Sequence, residues 1–399
     1  MSEELEGPDF TDEVDAPPTE LEMARFSQAV LFASDWTVET IVNQLDRQNI
    51  EMNPAFQRRD AWSGRAKGKF VESVILGLPI PQIVLAERQG ERGRYIVLDG
   101  KQRLLSLMQF TGKFHGQGNA FRLAGLEIRT DLAGKRYSNF ESDLALRDEL
   151  NAFSNHTIRT VVIRNWPDLD FLHLVFLRLN TGSLKLSPQE LRQAAIPGPF
   201  SDYVDLAASD SPALRTILSR NSPDPRMRDV ELLVRYLSFQ NYLATYQGRM
   251  KRFLDESCQR FNGDWPQLQQ SVMAQVHEFE LGVSALIDIF GADGLARKTG
   301  SRSFNRAIFD ALIFYSSDPN IRAAMVQGPQ AVRDAYQSVL QNEVFGEAVE
   351  SDTAGVPHTH DRLAIWGSAL RNATGLNIEI PALAEDPATG ERKITFAGV

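Results

Sequence analysis

The greatest chemical content of this chain lies in five consecutive residues, Asp99, Gly100, Lys101, Gln102 and Arg103. The apolar run from Tyr95 to Leu98 ahead of them reads as a strand. After them, Leu104, Leu105, Leu107 and Met108 fall on one side of a helix. A strand that runs through Asp-Gly into a helix suits an anion. The first N–H groups of a helix have no intrahelical acceptor and point outward. Gly100 allows close approach to the backbone. Lys101 and Arg103 add positive charge, and an arginine clamps phosphate oxygens in pairs. Asp99 could hold Mg²⁺ or position water. Gln102 could donate to a phosphate or orient water. The same five residues also fit an Asp-Gly turn with Asp99 as N-cap and basic side chains on a solvated helix face. Spacing alone does not separate these two readings.

Two other groups have related potential. Phe56-Gln57-Arg58-Arg59 with Trp62 puts tandem arginines among aromatic residues, which suits either the same anion or a surface salt-bridge patch. In Phe176-Leu177-Arg178-Leu179-Asn180-Thr181-Gly182, Arg178 sits among apolar residues. A buried arginine there demands an anionic partner, whereas an outward one needs none. His358 and His360 form the one close histidine pair; on a strand they would share a face, but no third ligand stands nearby. Cys258 reads as a structural or surface thiol. No nucleophile elbow, Walker-type loop, zincin or ββα-metal pattern occurs.

The elements that position these groups can be read outward from the turn. Val38, Ile41, Val42 and Leu45 predict a short helix starting near Trp36, and Phe70, Val71, Val74, Ile75 and Leu78 predict another that Gly77, Pro79 and Pro81 stop. Residues 82–86 and 95–98 read as two strands, with further strands around 121–129 and 157–164. A helix is expected over about 168–179. Ser187, Pro188 and Glu190 give an N-cap, a first-position proline and the acid of a capping box. Beyond 200 the alternation fades. Val230/Leu233/Val234/Leu237 and Ile308/Leu312/Phe314/Tyr315 mark packed helices. The chain thus divides into a mixed α/β part and an all-helical part.

Composition sets the outer bounds. Across 399 residues there is one cysteine, which excludes a disulfide framework and a Cys-rich zinc site. No apolar run approaches the ~20 residues that span a bilayer, so a soluble cytoplasmic protein without membrane contact is expected. The net charge is −10. Nine acids and no base fall in residues 1–22, and the rest of the chain carries 42 bases against 43 acids. Residues 57–122 hold twelve Arg and Lys against five Asp and Glu. An acidic tail therefore precedes a locally basic stretch, which is either ordinary surface charge or a polyanion-binding face.

Three ordered segments resemble one known family. They are Asn53-Pro54-Ala55-Phe56-Gln57-Arg58 followed by Trp62; Leu98-Asp99-Gly100-Lys101-Gln102-Arg103-Leu104; and residues 176–182 followed by Leu186-Ser187 and Glu190-Leu191. Glu72-Ser73 and the run from Gly77 to Pro81 match as well. The chain is similar to the N-terminal nucleotidase domain of GmrSD-type modification-dependent restriction enzymes, whose pattern is Asp-Gly-Gln-Gln-Arg. The likeness is strongest over about 36–195 and fainter in the helical part, where Arg226-Met227-Arg228-Asp229 and the 302–310 stretch resemble it.

That resemblance implies an α+β fold: a ParB/sulfiredoxin-like core over 26–200, after a disordered tail at 1–25 and before an all-helical domain at 201–399. It implies binding and hydrolysis of an NTP (ATP, GTP or CTP) with Mg²⁺, coupled to restriction of modified phage DNA. Asp99, Gln102 and Arg103 take the catalytic positions, with Asp99 on the metal. Gln57, Arg58, Gly100, Lys101, Arg178 and Asn180 take the nucleotide-binding ones. Lys101 departs from the family glutamine. The larger members often carry a His-Asn-His nuclease, and no such pattern occurs here among six histidines. The expectation is a standalone sensor or regulatory member acting with a separately encoded nuclease, for example of HEPN type, and compatible with a homo-oligomer. Two other readings stand beside it: a non-catalytic inhibitor or specificity partner of a nuclease, and a module that binds DNA through 57–122.

Overall fold

The computed structural model describes residues 30–52, 60, 62–113, 120–169, 171–172, 175, 187–298, 300–301, 303–385 and 392–396. They form two compact units that divide between Ala195 and Ile196.

The first unit rests on four strands: β1 (Val30–Thr37), β2 (Ile83–Glu87), β3 (Tyr95–Asp99) and β4 (Thr157–Arg164), in spatial order β1-β4-β2-β3. β4 runs parallel to β2, and the β1–β4 and β2–β3 pairs are antiparallel. The helices are α1 (Val38–Asp46), α2 (Gly64–Ile75), α3 (Lys101–Thr111), α4 (Tyr137–Ser142), α5 (Arg147–Asn155) and α6 (Pro188–Ala195). Residues Ile83 to Ala86 and Ile96 to Leu98 are buried without alternation, as strands covered on both faces are.

Local sequence explains the helix starts. Thr37 caps α1 by accepting the Thr40 N–H at 3.1 Å, and Val38, Ile41, Val42 and Leu45 form its buried stripe. Ser63 caps α2 in the same way, through the Ala66 N–H at 3.3 Å. α3 packs on α1 and α2. Its far end is anchored by Phe110, whose ring meets Phe121, Tyr137, Phe140 and Phe153 at centroid distances of 5.4–5.9 Å. Edge-to-face aromatic contacts of this kind add about 0.5–1.5 kcal/mol each beyond burial. An anchored far end fixes where α3 begins.

Two expectations fail in this unit. The strand expected around 121–129 is not a strand. The face of α2 carrying Arg65, Gly68 and Glu72 holds this segment instead. The Glu72 carboxylate accepts the backbone N–H groups of Glu127, Ile128 and Arg129 at 2.6–3.2 Å, taking the donors that a sheet ladder would use. A side chain at Gly68 would overlap the Ala124 carbonyl. The second failure is β1, which the sequence reading omits. It is an edge strand paired to β4 alone among the described residues, and its Val30, Leu31 and Phe32 are largely exposed, so no buried face imprints a period on it. The acidic segment 1–25 lies outside the described residues, as does most of the helix expected over 168–179.

The second unit holds α7 (Pro199–Asp210), α8 (Pro212–Ile217), α9 (Arg228–Tyr242), α10 (Met250–Gly263), α11 (Trp265–Phe290), α12 (Arg306–Ser316), α13 (Pro319–Gln327), α14 (Pro329–Leu340), α15 (Glu343–Glu350) and α16 (Val356–Thr374). The stripe residues Val230, Leu233, Val234, Leu237, Ile308, Leu312 and Tyr315 are buried. Arg235 on α9 pairs with Asp310 on α12, both fully enclosed, and Nε donates to Oδ1 at 3.0 Å. This unit is not purely helical: β5 (Ala382–Glu385) and β6 (Arg392–Thr395) form an antiparallel ribbon. His358 and His360 lie on α16, not on a strand. His360 contacts Asp361 and the Pro381 carbonyl, and His358 the Asp352 carbonyl. Cys258 is buried in α10. No helix among the described residues is long and apolar enough to cross a membrane.

Burial pushes the Glu72 carboxyl up, but the three N–H donors and nearby Lys69 outweigh it and hold it below the usual carboxylate range. Its contribution to stability is complete above the ordinary glutamate range. It is lost as pH falls through the lowered folded-state value. Glu72→Ala should lower stability by about 2 kcal/mol at neutral pH. Its melting temperature should also fall less steeply on acidification than that of the wild type. Parallel acid limbs in the two melting profiles would refute the role given to Glu72.

Candidate functional site

β3 ends at Asp99 and α3 begins at Lys101, so one residue must turn the chain. Gly100 does this at φ +96°, in the left-handed region, and serves as the helix N-cap without a side-chain hydrogen bond. Asp99 is therefore not the cap. A β-bulge between Val84 and Leu85 lies beside Asp99, in the pair Val84 and Asp99. Bulges of this kind re-aim the neighbouring side chain.

The two basic residues are not on a solvated face. Lys101 and Arg103 are both buried, with 5 % and 6 % of their surface exposed. Arg103 folds back under the turn. Its Nη2 donates to Asp99 Oδ2 at 2.9 Å and to the Gln82 carbonyl at 3.0 Å, and its Nε is buried without an acceptor. A methyl group at Gly100 would stand 3.4 Å from Arg103 Nε and Nη2, and 3.0 Å from Ile83 Cγ1. Glycine is thus required here by conformation and by space. Lys101 Nζ meets Glu190 Oε1 at 2.8 Å. Glu190 belongs to the capping box of α6: its Oε2 accepts the Ser187 N–H at 2.7 Å, and Ser187 Oγ accepts the Glu190 N–H at 3.1 Å. Breaking a buried ion pair from one side costs about 3–5 kcal/mol. Gln189 and Arg192, also buried on α6, hydrogen-bond each other at 2.5 Å.

Gln102 faces another way. Its Oε1 accepts the Trp62 N–H at 3.2 Å. Asp60 accepts the same N–H at 3.2 Å, along with Gln109 Nε2 at 3.1 Å and the Lys67 ammonium. These bonds hold Asp60 and Trp62 beside α3. Gln57, Arg58, Arg178 and Asn180 themselves lie outside the described residues.

The structure thus brings Asp99, Gly100, Lys101, Gln102 and Arg103 together with three partners that sequence reasoning did not assign to the site: Glu190, Asp60 and the Gln82 carbonyl. The sequence names Glu190 as a capping-box acid and within the third family-like segment, but gives it no role at the turn. Among the described residues, half of the twelve bases in the locally basic stretch stand in ion pairs. Lys67, Lys69, Arg88, Arg94, Lys101 and Arg103 all stand in ion pairs, with Asp60, Glu127, Glu51, Glu91, Glu190 and Asp99. Among the described residues no group of three or more His, Cys, Asp or Glu could hold a metal ion. Asp99 is the lone carboxylate in the turn. A single carboxylate fits Mg²⁺ where phosphates and water complete the shell.

The unit is a small mixed sheet with a helix whose N-terminus, without a side-chain cap, opens from a glycine turn over a buried arginine, within an α+β domain. Residues 38–197 match the family model of the GmrSD restriction endonuclease, N-terminal domain. The match suggests a component of a restriction-like defence system. No curated protein and no solved structure matches the chain.

Gly100→Ala should destabilise the first unit by about 1–3 kcal/mol, because it forces a Cβ into the left-handed region and against Ile83. Denaturant unfolding measures this, and an unchanged midpoint would contradict the account of the turn.

Proposed function

We propose that the 99–103 turn binds a nucleoside triphosphate and hydrolyses it, as the sensor or regulatory component of a restriction-like defence system. The observation that carries this reading is the N-terminus of α3, which has no side-chain cap and closes over the buried Arg103 guanidinium. The phosphates would lie against the first-turn N–H groups, where the helix dipole favours negative charge. Arg103 would stabilise charge that builds up on the transferred phosphoryl group, and stabilisation of this kind dominates catalysis of phosphoryl transfer. Its ion pair with Asp99 holds the guanidinium in place before the substrate arrives. Asp99 would hold Mg²⁺, which supplies charge neutralisation when bound with the nucleotide. Gln57, Arg58, Arg178 and Asn180 would complete the pocket, as the family pattern implies. A separately encoded nuclease, for example of HEPN type, is the proposed partner.

A second reading is binding without turnover, in an inhibitor or specificity partner of a nuclease. It is favoured by one feature: Asp99 and the Gln102 side-chain carbonyl are both already engaged, with Arg103 and with the Trp62 N–H. Direct DNA binding through 57–122 is less well supported, because so much of that stretch's positive charge is paired.

The test is hydrolysis of ATP, GTP and CTP with Mg²⁺ by the wild type, Asp99→Ala and Arg103→Ala, with melting curves to confirm that each is folded. Each substitution should lower turnover by about 10²–10³-fold. Equal turnover in all three proteins sinks the catalytic reading. Tight binding with no turnover in the wild type selects the second.

A further inference from the structure

The contact between Lys101 and Glu190 decides what the lysine in the turn is for. Lys101 is the first residue of α3, and Glu190 is the third of α6. Their side chains are 6 % and 4 % exposed. Glu190 serves two donors at once: one oxygen takes the Lys101 ammonium and the other takes the Ser187 N–H that opens α6. A phosphate that drew Lys101 away would strand a carboxylate in a dry environment, and that desolvation penalty opposes the exchange. Within the pair the ammonium's charge is neutralised at short range, so little of it acts on a ligand.

We propose that Lys101 is a strut and not a phosphate ligand, and that Glu190 is the positioning residue of the nucleotide site. This rests on the reading that the turn takes a nucleotide. The pair joins the N-termini of α3 and α6 into one rigid corner, so the N–H groups of α3 face the phosphate at a fixed angle. Anion recognition then falls to those N–H groups and to Arg103. The same logic gives the lysine that stands in place of the family glutamine a buried carboxylate to pair with.

The experiment measures ATP, GTP and CTP affinity by calorimetry on the full chain, well below each variant's melting point. The proteins are the wild type, Glu190→Gln, and the double variant Lys101→Met with Glu190→Gln. Glu190→Gln keeps an oxygen for the Ser187 N–H but removes the carboxylate charge that faces the buried ammonium. For a strut, it should weaken binding about tenfold, and the double variant should recover most of that loss because both charges are gone. In a turnover assay the loss should fall on KM and not on kcat. A lysine that ligates phosphate behaves oppositely: Glu190→Gln releases it and tightens binding, and the double variant binds worse than Glu190→Gln. Either of those results overturns the proposal. If the wild type binds none of the three nucleotides, the nucleotide reading itself fails. The strut is then judged on melting temperature: recovery in the double variant supports it, and no recovery overturns it.

Discussion

Everything at the candidate site follows from one backbone constraint: β3 must become α3 across a single residue. A strand and a helix differ in ψ by well over 100°, and the shortest way between them here is a left-handed residue. Gly100 is the one residue type that adopts it at little cost. That choice leaves the helix start without a capping side chain, since glycine has none to offer. It also leaves room beneath the turn, and the Arg103 guanidinium lies there. The uncapped N–H groups and the buried arginine are thus two outcomes of the same glycine.

Burying that arginine and the lysine beside it sets the second layer of the design. A charge taken out of water needs a partner close by, and each receives one: Asp99 for Arg103, Glu190 for Lys101. The turn therefore shows little net fixed charge from its own side chains. Under the proposed function, the attraction for phosphate would come from oriented backbone dipoles, which lose nothing through pairing, and from Arg103. In a stretch that looks strongly basic in the sequence, six of the twelve bases stand in ion pairs among the described residues, three of them with acids from outside the stretch, and charge counts miss this because they ignore distance.

Much of the site was legible in the sequence because its signals are local. The strand, Asp-Gly and helix succession from Tyr95 to Met108 appears as read. So do the stripe of α1, the stripe of α2 as far as Ile75, and the capping box of α6. What escaped was everything set by partners far along the chain. Nothing within a few residues of Lys101 points to Glu190. The segment 121–129 has the composition of a strand, but Glu72 on α2 takes the N–H groups of Glu127, Ile128 and Arg129, and Gly68 leaves room for the Ala124 backbone. β1 pairs on one side only, so its apolar residues face outward and show no alternation. The His358 and His360 pair looked like candidate ligands on a strand; α16 sends them to separate partners. Of the two readings left open for Arg103, the solvated helix face is the one its burial removes; a helix with polar residues at its start looks the same in sequence whether covered or not.

The span of the Lys101–Glu190 bridge also bears on how the protein is made. The two residues are 89 positions apart, and β4, the parallel neighbour of β2, lies between them in the chain. At a synthesis rate of roughly 5–20 residues per second, Lys101 waits about 4–18 s for its partner to be translated. During that interval the turn holds an unneutralised lysine and α2 and α3 lack part of their sheet. The corner can close only once residue 190 has left the ribosome. Assembly of the domain is thus tied to near-completion of its own length, and a nascent chain cannot present a finished site early.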